Sequence, residues 1–147
     1  MFDLDLELAI LHNLIVFALV AIIFVEFVNV RSGMDAAAVR RVAAFDAWYG
    51  ALAGIIVLVG FGRAIFAAKG WNYYSHDLFF WAKIGTFVVI GLLSIAPTVS
   101  YLKWRKAGKP PTDKAVANVR RYLWIEVVLF APLLGFAAAM ARGYGLF

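Results

Sequence analysis

The sequence predicts an all-α integral membrane protein, a four-helix bundle with up-down-up-down connectivity and both termini on the non-cytoplasmic side. Three observations predict it. The 147 residues are 65% hydrophobic and only 16% charged, and the mean hydropathy is +0.86, which is too high for an ordinary soluble domain. Four stretches each reach the ~20 apolar residues that a transmembrane helix needs. The basic residues cluster between these stretches.

The four apolar stretches cover residues 6–30, 43–67, 78–102 and 122–141. They occupy nearly the whole chain, so we interpret residues 1–147 as a single transmembrane domain. Helices are expected because every backbone polar group in lipid needs a partner within the protein. A β-barrel is not expected, since the apolar runs are continuous rather than alternating.

The first stretch is interpreted as a permanent helix and not as a cleaved signal peptide. Asp3, Asp5 and Glu7 stand where a signal peptide carries basic residues. The apolar run that follows is also longer than the apolar region of a signal peptide.

The connecting segments contain signals for helix ends. Asp35 can cap a helix that runs through residues 36–41 into the second stretch. Thr112 or Asp113 can cap a helix that runs into the fourth, and residues 71–77 are expected to form a loop. Small residues let transmembrane helices approach closely. We expect this at Gly50, Gly54, Gly85 and Gly91.

The distribution of basic residues predicts the orientation. Ten of the 14 lysines and arginines lie in the first and third connecting segments or at the helix ends beside them. Because short cytoplasmic loops are rich in lysine and arginine, both termini should lie outside the cytoplasm. We expect the basic loops to bind anionic lipid, and they require no nucleic-acid partner. A bundle of only four helices is compatible with a homo-oligomer or with a partner in a membrane complex.

Polar residues near the outer ends of the stretches form a predicted outer layer, which contains no buried acidic residue. It consists of His12, Asn13, Arg63, Lys83 and Arg142, with His76 in the loop above. A charge at the bilayer centre costs ~2.5–3.5 kcal/mol on insertion scales, so such residues usually face the bundle interior. A positive layer suits an anionic group such as a propionate, a quinone oxygen, a phosphate or a carboxylate. The alternative is that the cationic side chains extend to the lipid headgroups.

A second set forms a predicted inner layer near the basic loops. It consists of Glu26, Asp46, Glu126, Ser94 and Thr98, with Arg41 and Arg121 among the available partners. One interpretation is a functional polar layer that faces the bundle interior. The other, which we favour, is a structural layer in which carboxylates pair with arginines and fix the helix packing.

The outer layer offers residues that can bind haem. A neutral imidazole is a haem ligand, so His12 is a candidate axial ligand and His76 a second one. Arg63 and Lys83 would then hold the propionates. The sequence indicates no cofactor besides haem b, since it has no cysteine and no glycine-rich phosphate loop. The alternative is a non-enzymatic membrane subunit or small transporter with an anion site at Arg63 and Lys83. Whether the protein is an enzyme stays open.

Short motifs occur along the whole chain. They include Leu11-His12-Asn13, residues 46–50, Gly62-Arg63, residues 69–76, residues 80–83, residues 91–98 and residues 141–145. On these motifs the chain resembles a family of bacterial proteins known only as predicted membrane proteins of unknown function. The resemblance implies four transmembrane helices and no particular activity. With the orientation above, we expect a multi-pass protein of the bacterial inner membrane.

A second likeness is more distant. His12 early in the first helix and the segment Trp81-Ala82-Lys83 at the start of the third stretch resemble the HemJ-type protoporphyrinogen oxidases. That resemblance implies a bound b-type haem and oxidation of a porphyrinogen. It makes His12 the haem ligand and Lys83 a contact to a propionate or to the substrate. The arginine that follows the first helix in that family's Leu-Pro-Arg-like run has no equivalent here, where Val28-Asn29-Val30-Arg31 takes its place.

Overall fold

The computed structural model describes residues 3–147, which form five α-helices. They are α1 (Leu4–Asn29), α2 (Ala36–Phe66), α3 (Gly70–Ser75), α4 (Leu78–Ala107) and α5 (Asp113–Ala141). All except α3 are long and apolar enough to cross a membrane. The prediction of an all-helical protein with four candidate membrane spans is confirmed.

Each long helix begins at a residue whose side chain accepts a hydrogen bond from a backbone N–H of the first turn. Such caps satisfy donors that have no partner within the helix. The capping residues are Asp3, Asp35, Asp77 and Thr112, with N to O distances between 2.7 and 3.3 Å. Of the two caps proposed for the last helix, the structure thus uses Thr112.

Three helices extend beyond the apolar stretches that predict them. α2 begins at Ala36 and α5 at Asp113, before residues 43 and 122 where the apolar stretches start, as the predicted caps indicated. α4 continues past residue 102 to Ala107, which was not predicted. Hydropathy marks only the part of a helix that suits lipid, whereas caps and breaks in the hydrogen-bond pattern determine its ends.

The prediction of a loop over residues 71–77 is wrong for most of that segment, because α3 lies there. Its first residue, Gly70, has a φ of +70°, which is unfavourable for any residue with a side chain. Trp71 packs on Phe61 of α2 and on Phe80 of α4, with ring centroids 6.3 and 6.1 Å apart. These tertiary contacts, which the local sequence does not reveal, hold the segment against the bundle.

The four long helices pack as a square in which α1 contacts α2, α2 contacts α4, α4 contacts α5, and α5 contacts α1. Contacts pair the beginning of one helix with the end of its neighbour. His12 of α1 lies beside Gly60 of α2, and Lys83 of α4 lies 3.8 Å from the Met140 sulfur of α5. We call the end that carries α3 and residues 142–147 the α3 end. The opposite end, with the α1–α2 and α4–α5 loops, is the loop end.

The core and the outer surface of the square are both apolar. Buried residues recur at helical spacing along one face of α1, where Ile15, Leu19 and Ile23 are followed by Glu26. On the outside, Phe17 is 73% exposed and Leu58 is 74% exposed. Soluble monomers rarely expose large contiguous apolar patches, so these outer faces suit contact with lipid tails.

The glycines that were expected at helix contacts lie on the outside instead. A methyl group on Gly50, Gly54, Gly85 or Gly91 would meet no atom within 4 Å, and all four residues are exposed. The prediction that they bring helices of this chain together is therefore wrong. Spacing along a sequence does not determine the rotation of a helix, and these faces of α2 and α4 point away from their neighbours.

Candidate ligand-binding site

A cavity of about 230 Å³ lies inside the square toward the α3 end. All four long helices contribute to its wall, which is largely aliphatic and aromatic; examples are Val16, Leu19, Ile56, Phe87, Phe130 and Leu133. His12 of α1 and Lys83 of α4 are the ionisable side chains in the wall. Small-molecule sites are commonly apolar cavities with a few placed polar groups. The structure thus brings together two residues of the predicted outer layer.

The His12 ring is held by the close approach of α1 to α2. A methyl group on Gly60 would lie 3.5 Å from His12 Cε1, an ordinary van der Waals distance, so the ring packs closely on α2 at this position. His12 Nδ1 is buried and has no hydrogen-bond partner within the described residues. A buried polar atom without a partner costs about 1–3 kcal/mol, so a bound group that pairs with Nδ1 would be favoured.

The Lys83 side chain is half-buried. Its Nζ lies 3.8 Å from Met140 Sδ, a weak hydrogen-bond acceptor, and 5.6 Å from the centre of the Phe80 ring. Both contacts are weaker than a charge-assisted bond to an anionic oxygen. Lys83 is therefore placed to bind an anionic group in the cavity.

Other members of the predicted outer layer lie near the cavity but do not line it. Arg63 follows Gly60 by three residues on α2, so it faces the same side one turn closer to the α3 end. Its Nε is buried and has no partner within residues 3–147. Arg142 and Asn13 are exposed.

The two histidines are not brought together. His76 is exposed at the end of α3, outside the lining of the cavity. Its Nδ1 lies 2.8 Å from the Asn72 carbonyl oxygen, and its ring packs on Phe147 at 6.0 Å. In this arrangement a group bound at His12 has no second histidine beside it.

Two acidic side chains at the α3 end have buried oxygens, so the prediction of an outer layer without a buried acid is wrong. Asp77 is fully buried, and its Oδ2 has no partner in the described part of the chain. The C-terminal segment covers it, because Leu78 N–H donates to the Gly145 carbonyl at 2.8 Å. Asp5 precedes His12 by two helical turns, and its Oδ1 is also buried and unpaired. The spacings of seven and fourteen residues between Asp5, His12 and Glu26, which put them on one helix face, were a signal that could have placed it.

The predicted inner layer contains two side-chain hydrogen bonds between helices. Tyr101 of α4 donates its hydroxyl to Glu26 Oε2 at 3.2 Å. The Thr98 hydroxyl of the same helix lies 2.8 Å from Asp46 Oδ1 of α2. Ser94 instead donates to backbone carbonyls of its own helix.

The arginines near this layer do not donate to its carboxyl groups. Arg120 donates to the carbonyls of Phe27 and Val30 at 2.8 and 2.5 Å. Arg121 is exposed and donates to Asn118, and Arg41 is exposed. The expected pairing between carboxylates and arginines is thus not found in the part of the chain that the structure describes.

The sequence profile of the family described as "Predicted membrane protein (DUF2214)" matches residues 4–145. The chain belongs to this family. The description agrees with the family resemblance seen in the sequence motifs and with the four candidate spans, and it names no activity. No curated protein and no solved structure matches the chain. The likeness to HemJ-type oxidases stays a prediction.

Proposed function

We propose that this protein binds a ligand with an apolar body and one anionic or hydrogen-bond-accepting group in the cavity between His12 and Lys83. The composition of the cavity wall carries this proposal, since four helices supply apolar contacts around one imidazole and one ammonium group. Among residues 3–147, His12 Nδ1 has no hydrogen-bond partner, and the acceptor that Lys83 reaches is a thioether. An anionic ligand oxygen would provide the strong acceptor that Lys83 lacks, and the apolar body would fill the remaining space.

The proposed location is the bacterial inner membrane, with the helices crossing up and down and the loop end in the cytoplasm. Ten of the 14 basic residues lie at that end, where they would face anionic lipid. The cavity then lies in the outer half of the bilayer. The chain has no cysteine, so single-cysteine variants at Lys106 and Tyr144 can be labelled in intact spheroplasts with a membrane-impermeant maleimide. We expect labelling at position 144 alone. Labelling at position 106 alone would show that the protein has the opposite orientation.

Haem b is the first candidate ligand. His12 would offer an imidazole nitrogen to the iron, and Lys83, with Arg63 nearby, would hold the propionates. A bound haem would supply one-electron redox chemistry. The cavity of about 230 Å³ is smaller than the ~300–1,000 Å³ of typical sites for drug-sized ligands, so a porphyrin requires the helices to separate. A quinone ring or an amphipathic carboxylate needs less rearrangement.

An absorbance spectrum of the detergent-solubilised protein tests haem directly. The protein is expressed with ample haem and measured oxidised and then dithionite-reduced. A Soret band with an α band on reduction, both lost in His12→Ala, would identify haem b. A spectrum that shows only the bands of tryptophan and tyrosine would rule out haem. The quinone ring and the amphipathic carboxylate would then remain as candidate ligands.

Tryptophan fluorescence tests occupancy of the cavity by any quenching ligand. The Trp71 ring packs on Phe61 and Phe80, and both phenylalanines line the cavity. Haemin or menadione bound there should quench Trp71 emission in a saturable manner. Trp71→Phe should weaken this response, and the remainder should come from Trp81, whose ring lies 5.3 Å from that of Phe80. Trp48→Phe, altered near the loop end, should leave the response unchanged. If neither probe gives saturable quenching, the proposed site is wrong.

A second candidate function is a non-enzymatic membrane subunit or a small transporter with an anion site at Arg63 and Lys83. The buried, unpaired Nε of Arg63 favours it. In this case His12→Ala should have little effect, and Lys83→Met should abolish anion binding or assembly. Arg142→Gln is the control, because Arg142 is an exposed cation at the same end. Equal effects of Lys83→Met and Arg142→Gln would indicate that both side chains serve only the lipid headgroups.

A further inference from the structure

Three carboxyl groups from three helices are buried near the loop end, outside the ligand cavity. The exposed fractions are 1% for Glu26 of α1, 8% for Asp46 of α2 and 0% for Glu126 of α5. α4 contributes the hydroxyls of Tyr101, which is fully buried, and of Thr98. We call Glu26, Asp46 and Glu126 the carboxyl cluster.

The carboxyl oxygens have too few donors for three ionised groups. Both oxygens of Glu126 are buried without a hydrogen-bond partner in the described part of the chain, as is Oε1 of Glu26. An ionised carboxylate accepts several hydrogen bonds, and burying its charge without a partner costs several kcal/mol. Arg120, which could neutralise one of them, donates to the carbonyls of Phe27 and Val30. The surroundings therefore favour the neutral form of these groups.

Hydrogen-bond geometry at Thr98 gives independent support for a bound proton. Thr98 Oγ1 lies 2.8 Å from Asp46 Oδ1 and 2.9 Å from the Ser94 carbonyl oxygen. A hydroxyl has one proton, so it can donate fully to only one of two acceptors. Both contacts become hydrogen bonds if Asp46 is protonated and donates to Thr98, while Thr98 donates to Ser94.

We infer that the carboxyl cluster is a proton-binding site, in which the carboxyl groups hold protons at neutral pH and exchange them with the aqueous phase at the loop end. The titratable groups that face one another here are Glu26 from α1, Asp46 and Tyr49 from α2, Tyr101 from α4 and Glu126 from α5. The guanidinium of Arg120, also on α5, is engaged by carbonyls at the end of α1. One guanidinium cannot balance three carboxylates. Within residues 3–147, no group of three or more His, Cys, Asp or Glu has the geometry of a metal site, so a proton is favoured over a metal ion.

Infrared spectroscopy of the full chain in detergent tests this inference, because a protonated carboxyl group has a C=O band separate from the carboxylate bands. At neutral pH the wild type should show protonated-carboxyl bands that shift in D₂O. Glu126→Gln should lose the intensity of one carboxyl group. The control is Glu7→Gln, which removes an exposed carboxylate at the α3 end and should leave these bands unchanged.

Glu26→Gln is the second variant, and glutamine retains the shape of a protonated glutamate. If Glu126→Gln does not fold, the same loss of band intensity is expected from Glu26→Gln. Unchanged bands in the variants that fold, or no protonated-carboxyl band in the wild type, would overturn the proton site. A band that disappears when sodium chloride replaces choline chloride would also overturn it, because the cluster would then take a metal cation.

Discussion

Tyr101 and Glu26 form a hydrogen bond across the diagonal of the helix square. The two residues lie on α4 and α1, whose backbones make no contact in the described residues, yet the tyrosine hydroxyl reaches Glu26 Oε2 at 3.2 Å. Both side chains are almost completely buried. The pair therefore adds a polar contact between two helices whose backbones are too far apart to touch.

Tyr101→Phe should lower the free energy of unfolding by about 1 kcal/mol, the size measured for hydrogen bonds between transmembrane helices. Because the aromatic ring is retained, the loss of stability reflects only the missing hydroxyl and Glu26 Oε2, which then has no hydrogen-bond donor. An SDS titration in mixed micelles measures the change. Tyr144→Phe removes a hydroxyl from a residue that is 73% exposed and should have no effect. Equal stability of the two variants would show that the diagonal bond contributes nothing.

Arg120→Met should destabilise the bundle by about 2 kcal/mol or more, because hydrogen bonds to charged groups contribute ~1.5–3 kcal/mol. The guanidinium donates to two carbonyls at the end of α1 and lies 4.4 Å from the centre of the Phe27 ring. The matched control is Arg121→Met, which removes an exposed arginine and should change stability by less than ~1 kcal/mol. The stability of both variants is measured in the same SDS titration. A larger loss of stability in Arg121→Met than in Arg120→Met would contradict the prediction.

The four spans and several helix ends were predictable because each depends on local chemistry. Apolar length determines what can cross lipid. Asp35 and Thr112 cap helices because their side chains meet the free N–H groups of the next turn. His12 and Lys83 could also be selected, since an ionisable residue inside a span usually faces the interior.

Features that depend on tertiary contact were not predictable in the same way. The C-terminal segment buries Asp77 by pairing with it through an isolated bridge to Leu146. Arg120 reaches carbonyls of α1, ninety residues or more away in sequence, rather than a carboxylate. Helix rotation turns Gly60 toward His12 and leaves Gly54 facing open space. One sequence without an alignment carries no local signal for such pairings.

Gly60→Leu should block the ligand cavity while preserving the fold. Gly60 lines the cavity, and its missing side chain leaves the space next to the His12 ring. A leucine there would fill part of the cavity or displace the ring. Gly54→Leu is the control, because that position faces open space on the same helix. Saturable quenching of Trp71 by menadione should be lost in the first variant and kept in the second. If Gly60→Leu retains full quenching, the ligand binds elsewhere.

Gly145→Ala should detach the C-terminal segment from the α3 end. A methyl group on Gly145 would lie 2.5 Å from Asp77 Oδ1 and 2.8 Å from Phe79 Cδ2, closer than real contacts allow. The chain must move, which breaks the hydrogen bond from Leu78 N–H to the Gly145 carbonyl and disturbs the Asp77 cap of α4. We expect a loss of about 1–3 kcal/mol, as for other overpacked sites.

Gly135→Ala provides the control for this change. Gly135 lies within α5 with no atom near a new methyl group, so alanine should stabilise the helix by up to ~1 kcal/mol. The two substitutions are chemically identical and should act in opposite directions. Hydrogen exchange at Leu78 N–H and Phe147 N–H distinguishes them locally, because both donate in the contact between the C-terminal segment and the start of α4. Faster exchange is expected only in Gly145→Ala; protected amides in that variant would show that the segment tolerates the methyl group.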